Sequence, residues 1–390
     1  MCGVVIPDNF NIDNGCTGLR HMILENTTIK ELIMFENRNK LFDIHVQYKF
    51  DSLLFEKIKP LEDYNFIAGF YWHEPYWLDK DPKIKYVATI ERNKEKYHIR
   101  YPYSTKFIRQ TDPDLLTIYE FKTPQMMEIF EKMIVFPSIG DEKQNLHIHT
   151  FREFDMTIDN HLFNQEGVGW PLFQGRTIHH YNSNFNPIER WIVSSVGEDK
   201  LSKKWNVAKK NLFDRKYRIA WRSIASATNE RTLISTVIPR GVFCGNSLNL
   251  ATVFAGNEIS NDFDLIAGVN VILSSLCADF YIRVRGSMNV NAFMVNSLPL
   301  PRDIELIKEL GKISMKLYVG DEFDEFRGDV PALTDEVARN KLIAKLDARV
   351  ATMYNLTYEE YQFVLSTFPL VDENYKKRCL NAYNEWKFEI

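Results

Sequence analysis

Between Tyr217 and Leu250 the sequence, YRIAWRSIASATNERTLISTVIPRGVFCGNSLNL, sets arginines among small polar residues and aromatics in a pattern that packing alone does not require. Arg218, Arg222, Arg231 and Arg240 supply planar forks suited to phosphate oxygens and guanine edges. Asn229, Asn246 and Asn249 offer the paired amide contacts that adenine accepts. Ser223, Ser226, Thr228, Thr232 and Ser235 add short donors of the kind that touch sugar and phosphate.

From Lys200 to Arg240, eleven Lys or Arg face only Asp214 and Glu230, a local balance of +9 in a chain of net charge −4. Charge concentrated in this way attracts a polyanion and makes binding depend on salt through counterion release. Trp205, Phe213, Tyr217 and Trp221 are interleaved with Lys203, Lys204, Lys209, Lys210, Arg215 and Lys216, so the segment is expected both to stack on bases and to neutralise phosphates. Arg283 and Arg285, alternating along a strand expected at 279–284, add a pair on one face to the same surface. A solvated basic helix followed by a core hairpin would give this composition as well.

Two other groupings imitate chemistry. Pro113-Asp114 followed by Glu120-Phe121-Lys122 has the acid pair and lysine of a magnesium nuclease, but five intervening residues leave little room for the usual hairpin. His147, His149, His161, His179 and His180, with Asp155 and Asp159 nearby, include one pair on a common strand face. No cysteine accompanies them and the spacing beyond that pair is loose, so structural or DNA-contacting histidines are favoured over a metal site.

Three segments occur in a recognisable order. Arg152-Glu-Phe-Asp155-Met-Thr157 and Leu172-Phe-Gln-Gly175-Arg-Thr-Ile-His179-His-Tyr181 come first. Arg222-Ser-Ile-Ala-Ser-Ala-Thr-Asn-Glu-Arg231-Thr follows with Val237-Ile-Pro239-Arg-Gly and Gly245-Asn246, and Asn291-Ala-Phe293-Met-Val-Asn-Ser-Leu298-Pro299-Leu-Pro301 closes the series. Together they resemble the target-recognition region of the type IIG restriction and modification enzymes, adenine-N6 DNA methyltransferases usually fused to a nuclease. MCGVVIPDNF, Gly15-x-x-Gly18-Leu-Arg20, FENRNKLFDIHVQYKF and LLFEK resemble the last strands of that family's methyltransferase domain.

The resemblance implies double-stranded DNA and a methyltransferase catalytic domain or chain as partners. It also implies S-adenosylmethionine as cofactor of the full-length family enzyme, held by a glycine-rich loop, and an Asn-Pro-Pro-Tyr type motif holding the flipped adenine. Neither motif occurs here. Glu74-Pro75-Tyr76 is the nearest approach, and it has one proline and follows the sheet strands instead of preceding them. The chain is therefore expected to contain no catalytic, cofactor-binding or metal-binding residues, and not to methylate alone. In the family the nuclease domain precedes the methyltransferase, and no counterpart to it is expected in this sequence.

These residues need elements to position them. The expected fold class is α+β, in four parts: the remnant of a doubly wound methyltransferase sheet at 1–60, a connector at 61–144, a strand-rich mixed target-recognition domain at 145–301 and a helical brace at 302–390. Cys2 to Pro7 reads as a buried strand, Gly15 to Asn26 as a helix, and Ile29 to Glu36 and Val46 to Lys57 as strands. Thr123-Pro124 opens a helix, and 146–150, 176–181, 191–194, 217–224 and 232–238 read as strands. Asp264 to Leu276 should be a core helix, and Gly167 to Pro171 and Gly286 to Asn289 flexible loops. After Pro301 the chain turns helical, with an Asp303 cap, a Leu342, Leu346, Val350, Met353 stripe and a Thr357-x-x-Glu360 capping box. Thirteen basic residues oppose seventeen acidic ones from Pro301 to Ile390, which disfavours that part as the DNA surface.

With 390 residues, 45% of them hydrophobic, the chain can build two or three cores. Cys2, Cys16, Cys244, Cys277 and Cys379 are scattered and odd in number, as reduced cytoplasmic thiols would be. No apolar run is long enough to span a bilayer and no signal-peptide pattern opens the chain, so no membrane partner is expected. Three functions fit: the recognition part of a type IIG-like enzyme, a stand-alone specificity subunit serving a separate catalytic chain, or a protein-interaction module with a chance basic patch.

Overall fold

The computed structural model describes residues 1–46, 48–73, 99–224, 229–285 and 289–387, without the side chains of 214, 386 and 387. Glu74-Pro75-Tyr76, Ser226, Thr228 and most of the expected loop at Gly286 to Asn289 lie outside the described residues. The chain forms two compact units, Met1–Glu131 and Lys132–Ile390.

In the first unit β1 (Cys2–Pro7), a short helical turn α1 (Asn9–Ile12) and α2 (Thr17–Asn26) lead to β2 (Thr28–Glu36), β3 (Lys49–Glu56), β4 (Asn65–Trp72) and β5 (Tyr101–Ser104). Helices α3 (Thr105–Thr111) and α4 (Pro124–Met133) follow. The sheet order is β1-β3-β2-β4-β5. Because β3 runs antiparallel to both β1 and β2, and β2 is parallel to β4, strands β1, β2 and β4 share one direction. Their carboxyl ends lie on one edge. The residues read as a connector thus supply two strands, β4 and β5, to this sheet and carry the two helices α3 and α4.

One expectation fails here. Apolar Cys2 to Pro7 is an exposed edge strand, since β3 is its only described partner and Val5 is 59% exposed. The unit's core is aromatic instead: Phe35 stacks on Phe50 at 5.3 Å with Trp72 edge-on, and Tyr103 packs among Phe66, Phe107 and Phe121.

The second unit contains β6 (Leu146–Phe151), β7 (Trp170–Phe173), β8 (Trp191–Ile192) and α5 (Ser194–Trp205), then β9 (Arg218–Arg222), β10 (Ser235–Ile238), β11 (Phe243–Cys244), β12 (Leu248–Ala255) and β13 (Glu258–Ile259). One sheet has the order β10-β9-β12-β13 with β6 also on β12; a small second sheet is β11-β7-β8. Helices α6 (Phe263–Leu273), α7 (Leu276–Val284), α8 (Ala292–Asn296), α9 (Ile304–Ser314), α10 (Asp324–Arg327), α11 (Glu336–Met353), α12 (Tyr358–Ser366) and α13 (Glu373–Lys387) complete it.

Two expected strands are something else. Residues 279–284 belong to α7, whose start is fixed by Ser275 accepting from the Ala278 N–H at 3.1 Å, and whose Leu276, Phe280 and Val284 are buried at helical spacing. The β-forming character of Phe-Tyr-Ile-Arg-Val is overridden by that cap and by burial on both sides. Residues 176–181 start with a 3-10 turn, Gly175–Thr177, closed by a reciprocal bond between Gln174 and Thr177.

The helical part is tied to the sheets within one unit. Buried Asp347 of α11 accepts from the Leu276 N–H at 2.7 Å and from the Tyr375 hydroxyl at 2.5 Å, linking α7, α11 and α13. Helices α6 and α9 cross so closely that a Cβ on Gly268 would collide with the Ile307 carbonyl, and one on Gly311 with that of Asp264. The Thr357–Glu360 capping box forms as the sequence implies, with bonds of 3.2 and 2.8 Å.

Candidate nucleic-acid interface

The four arginines of the basic stretch do not form a fork-lined surface. Arg218 has no exposure; it pairs with equally buried Glu153 and donates to the Val242 carbonyl at 2.7 Å. Arg231 is buried against Asp279 at 2.9 Å and donates to the Ser274 carbonyl at 2.6 Å. Burial alone would lower the Arg231 pKa, but Asp279 and Asp347 hold it above its ordinary value. Arg240 pairs with Glu325, in the acidic Asp321-Glu-Phe-Asp-Glu325 segment, across 85 residues. Arg222 donates through Nε and Nη2 to the Ile178 carbonyl at 3.1 and 2.6 Å, and burial lowers its pKa. Six of the eleven cations, Lys200, Lys209, Arg215, Arg218, Arg231 and Arg240, are met by acids from outside the segment. Charge summed over a window cannot register them.

The aromatics of the stretch also turn inward. Phe213 packs on Phe151 at 4.5 Å and on Trp205 at 5.3 Å, and Tyr217 is enclosed by Phe263, Phe323 and Phe326. Trp221 is fully buried and donates to the Val290 carbonyl at 3.0 Å. The alternation of rings and cations is that of a protein face, rings inside and charges outside, and not a base-stacking platform.

Outside, on α5 and the turns after it, lie the cations. Lys203 and Lys210 are exposed. Lys209 pairs with Asp199 at 2.6 Å, Arg215 with Glu198, and Lys216 donates to Asn261 at 2.8 Å. Lys204 is spent on the Arg152 and Glu153 carbonyls, both at 2.8 Å, and its pKa is lowered by burial. Asn246 donates to Asp155 at 2.7 Å, and buried Asn249 to Ser223 and the Val290 carbonyl. These two amides build the frame; Asn229 stays half-buried where the described chain resumes.

What the fold does bring together is a strip at the end of β9. Arg222 lies over the Phe185 ring at 5.9 Å, and Phe185 packs on His179 at 4.8 Å. Ile224, 66% exposed, bridges to Asn289, and the Val290 N–H donates to the Ser223 carbonyl at 2.9 Å. Phe293, 52% exposed, lies under the Arg285 guanidinium at 5.4 Å. Arg283 and Arg285 do not share a strand face: Arg283 contacts Asp279, the Glu230 carbonyl and the Phe368 ring, whereas Arg285 caps α7 and donates to the Tyr281 hydroxyl at 3.1 Å. Arg–aromatic pairs beside exposed apolar side chains suit sugar and base surfaces.

The histidines build no metal centre. His147 stacks on Phe254 at 5.1 Å and bonds the Gln144 carbonyl at 2.9 Å, while His149 lies 3.8 Å from Glu142. Burial, reinforced by Arg222, pushes His179 down to about 4, and His180 is lowered by burial as well. Among the described residues no group of three or more His, Cys, Asp or Glu could hold a metal ion.

A second concentration of polar groups was not legible as a motif. At the carboxyl edge of the first unit's sheet, where open α/β sheets hold ligands, Lys49 pairs with Glu120 at 2.7 Å and Asp8 at 3.1 Å. Tyr71, in left-handed backbone at φ 63°, donates to Glu120 at 2.9 Å. Burial raises the pKa of both Glu120 and neighbouring Asp51. Glu120, the acid of the nuclease-like spacing, is thus a buried counter-ion, and Asp114 sits exposed with its carbonyl on His21. Beside this edge the loop after β2 exposes Phe42, Ile44 and Tyr48, and buried Asn37 holds it by three bonds of 3.0 Å to Phe42 and Ile44.

No protein-family profile matches the chain, and no curated protein matches it. Among solved structures, similarity is found to the type IIG restriction endonuclease BpuSI, at 11% identity and a TM-score of 0.34, covering 90% of this chain and 47% of that one. The type IIL restriction-modification enzyme MmeI, solved in complex with DNA, matches at 12% identity and a TM-score of 0.44, covering 97% of this chain and 49% of that one. The chain thus spans about half the length of each.

Proposed function

We propose that this chain recognises a defined sequence in double-stranded DNA on behalf of a type IIG-like adenine-N6 methyltransferase of a restriction-modification system. The observation that supports it most is the strip of Arg222–Phe185, Ile224–Asn289 and Arg285–Phe293, which stands on a frame of buried ion pairs at Arg218–Glu153 and Arg231–Asp279. Readout loops on a rigid scaffold are the usual arrangement for base recognition. Exposed Lys203 and Lys210, with Lys209 and Lys216, suit the phosphates. S-adenosylmethionine and the flipped adenine would be held by the catalytic domain or chain and not by these residues. The exposure of β1, at the edge of the sheet among the described residues, supports a catalytic sheet continuing there, within one polypeptide or from a separate one. Among the described residues no single helix is long and apolar enough to cross a membrane, and the reading places the protein in the cytoplasm.

Selection from a randomised duplex pool, followed by fluorescence anisotropy at two salt concentrations, tests this. One short enriched motif, bound more weakly as salt rises, is expected. Recovery without a motif removes the specificity, and binding indifferent to salt removes the DNA reading in favour of a protein-interaction module.

A further inference from the structure

A surface cavity of about 290 Å³ lies away from that strip, lined by Arg215, Lys216, Tyr217, Arg240, Phe263 and Glu325 among others. We propose that it is a phosphate subsite for a DNA backbone diester, and that Glu325 stands in the phosphate's place in the free protein. The inference rests on the DNA-binding reading and adds to it a contact and a means of control.

Three features fit a phosphate. The Arg240 guanidinium lies over the Tyr217 ring at 5.3 Å, which fixes its plane and leaves its outer nitrogens for an oxyanion. Lys216 is steered to the same cavity by its 2.8 Å bond to Asn261. Arg215 lines the cavity too but is held by Glu198, so two positive groups, Arg240 and Lys216, meet one carboxylate. Tyr217 and Phe263 make the floor, packed edge to face at 5.3 Å. A diester oxygen there would be met by a fork and an ammonium, the pairing that positions proteins on duplexes.

Glu325 can yield its place without the fold opening. Its segment is pinned by buried Phe323 and Phe326 against Tyr217, and the Tyr217 hydroxyl donates to the Glu322 carbonyl at 2.9 Å. The Glu325 side chain itself is 55% exposed and Arg240 46%. An ion pair so exposed contributes little to stability, so a rotation of Glu325 away from Arg240 costs little. Glu322 and Asp324 of the same segment, whose charges reach Tyr217, disfavour loose polyanion binding, so the exchange belongs to a duplex already held by its other contacts.

The test is a thermodynamic cycle on the full chain with random duplex: wild type, Glu325→Gln, Arg240→Ala and the double variant, each checked for an unchanged melting temperature. Glu325→Gln is expected to tighten binding three- to tenfold and to steepen the salt slope by about one, as one more phosphate is neutralised. The gain must vanish in the Arg240→Ala background, which separates release of Arg240 from removal of a negative charge. A gain that persists without Arg240, or no gain at all while wild type binds, overturns the subsite and leaves the DNA reading standing. Inorganic phosphate that stabilises Glu325→Gln with no gain for duplex also overturns it, by assigning the cavity to a free anion. No duplex binding by any of the four overturns both.

Discussion

Arg218 and Glu153 meet across 65 residues of chain, each without solvent exposure, and Glu153 also accepts from the Cys244 N–H at 2.7 Å. One buried carboxylate thus ties β9 to the β11 strand of the smaller sheet, and to the loop that follows β6. An arginine that composition offers to DNA is a structural bolt of the unit Lys132–Ile390.

Removing one partner of such a pair leaves a desolvated charge. Glu153→Ala is expected to destabilise the unit Lys132–Ile390 by about 3–5 kcal/mol, whereas an Arg218→Met, Glu153→Leu double variant recovers most of the loss. Thermal melts of the three proteins check it. Equal destabilisation by the single and double changes would show that the charges themselves are not the cause.

The strip and the lysines should separate in binding experiments. Arg285→Ala and Phe293→Ala are each expected to cost about 1–3 kcal/mol on the selected motif and little on random duplex. Lys203→Ala and Lys210→Ala should weaken every duplex alike and lower the salt slope by about one each. Anisotropy titrations on both duplexes decide; an Arg285→Ala protein with unaltered motif preference takes Arg285 out of the readout.

Acid should weaken the fold through two imidazoles. His179 is held down to about 4, mainly by burial and then by Arg222 and Arg231, and His180 is lowered in the same way. Unfolded, each would titrate near 6.5, so the unfolded chain binds more protons between those values. The contribution of His179 is complete above about pH 6.5 and is lost as pH falls towards 4, and that of His180 is lost on acidification in the same sense. Urea midpoints measured from pH 7.5 to 4.5 should fall less steeply for a His179→Gln, His180→Gln protein. Parallel curves would count against these groups.

The α6–α9 crossing admits no side chain. Gly268→Ala, which would drive a Cβ into the Ile307 carbonyl, is expected to cost about 1–3 kcal/mol or more. A control change at exposed Gly18, where a Cβ meets nothing within 4 Å, should leave the melting temperature nearly unaltered. If both variants melt like wild type, the helices do not pack this closely.

Features that depend on neighbours in the sequence could be read from it. The Asp303 cap, the Thr357–Glu360 box, the Leu342 to Met353 stripe and strands β2, β3, β6, β9 and β10 are present within a few residues of their expected places, because caps and periodicity act over one or two turns. Tertiary structure alone decided which cations reach solvent. Arg218, Arg231 and Arg240 find their acids at separations of 65, 48 and 85 residues, and Tyr217 finds its ring partners more than 40 residues away. It also turned Phe280 to Val284 into a helix buried on both sides and left apolar β1 exposed at the edge of the sheet among the described residues. Charge, ring and apolar character are properties of a residue, but exposure is a property of what folds over it. For that reason the chemistry of the 200–240 stretch could be named from the chain, and the surface it presents could not.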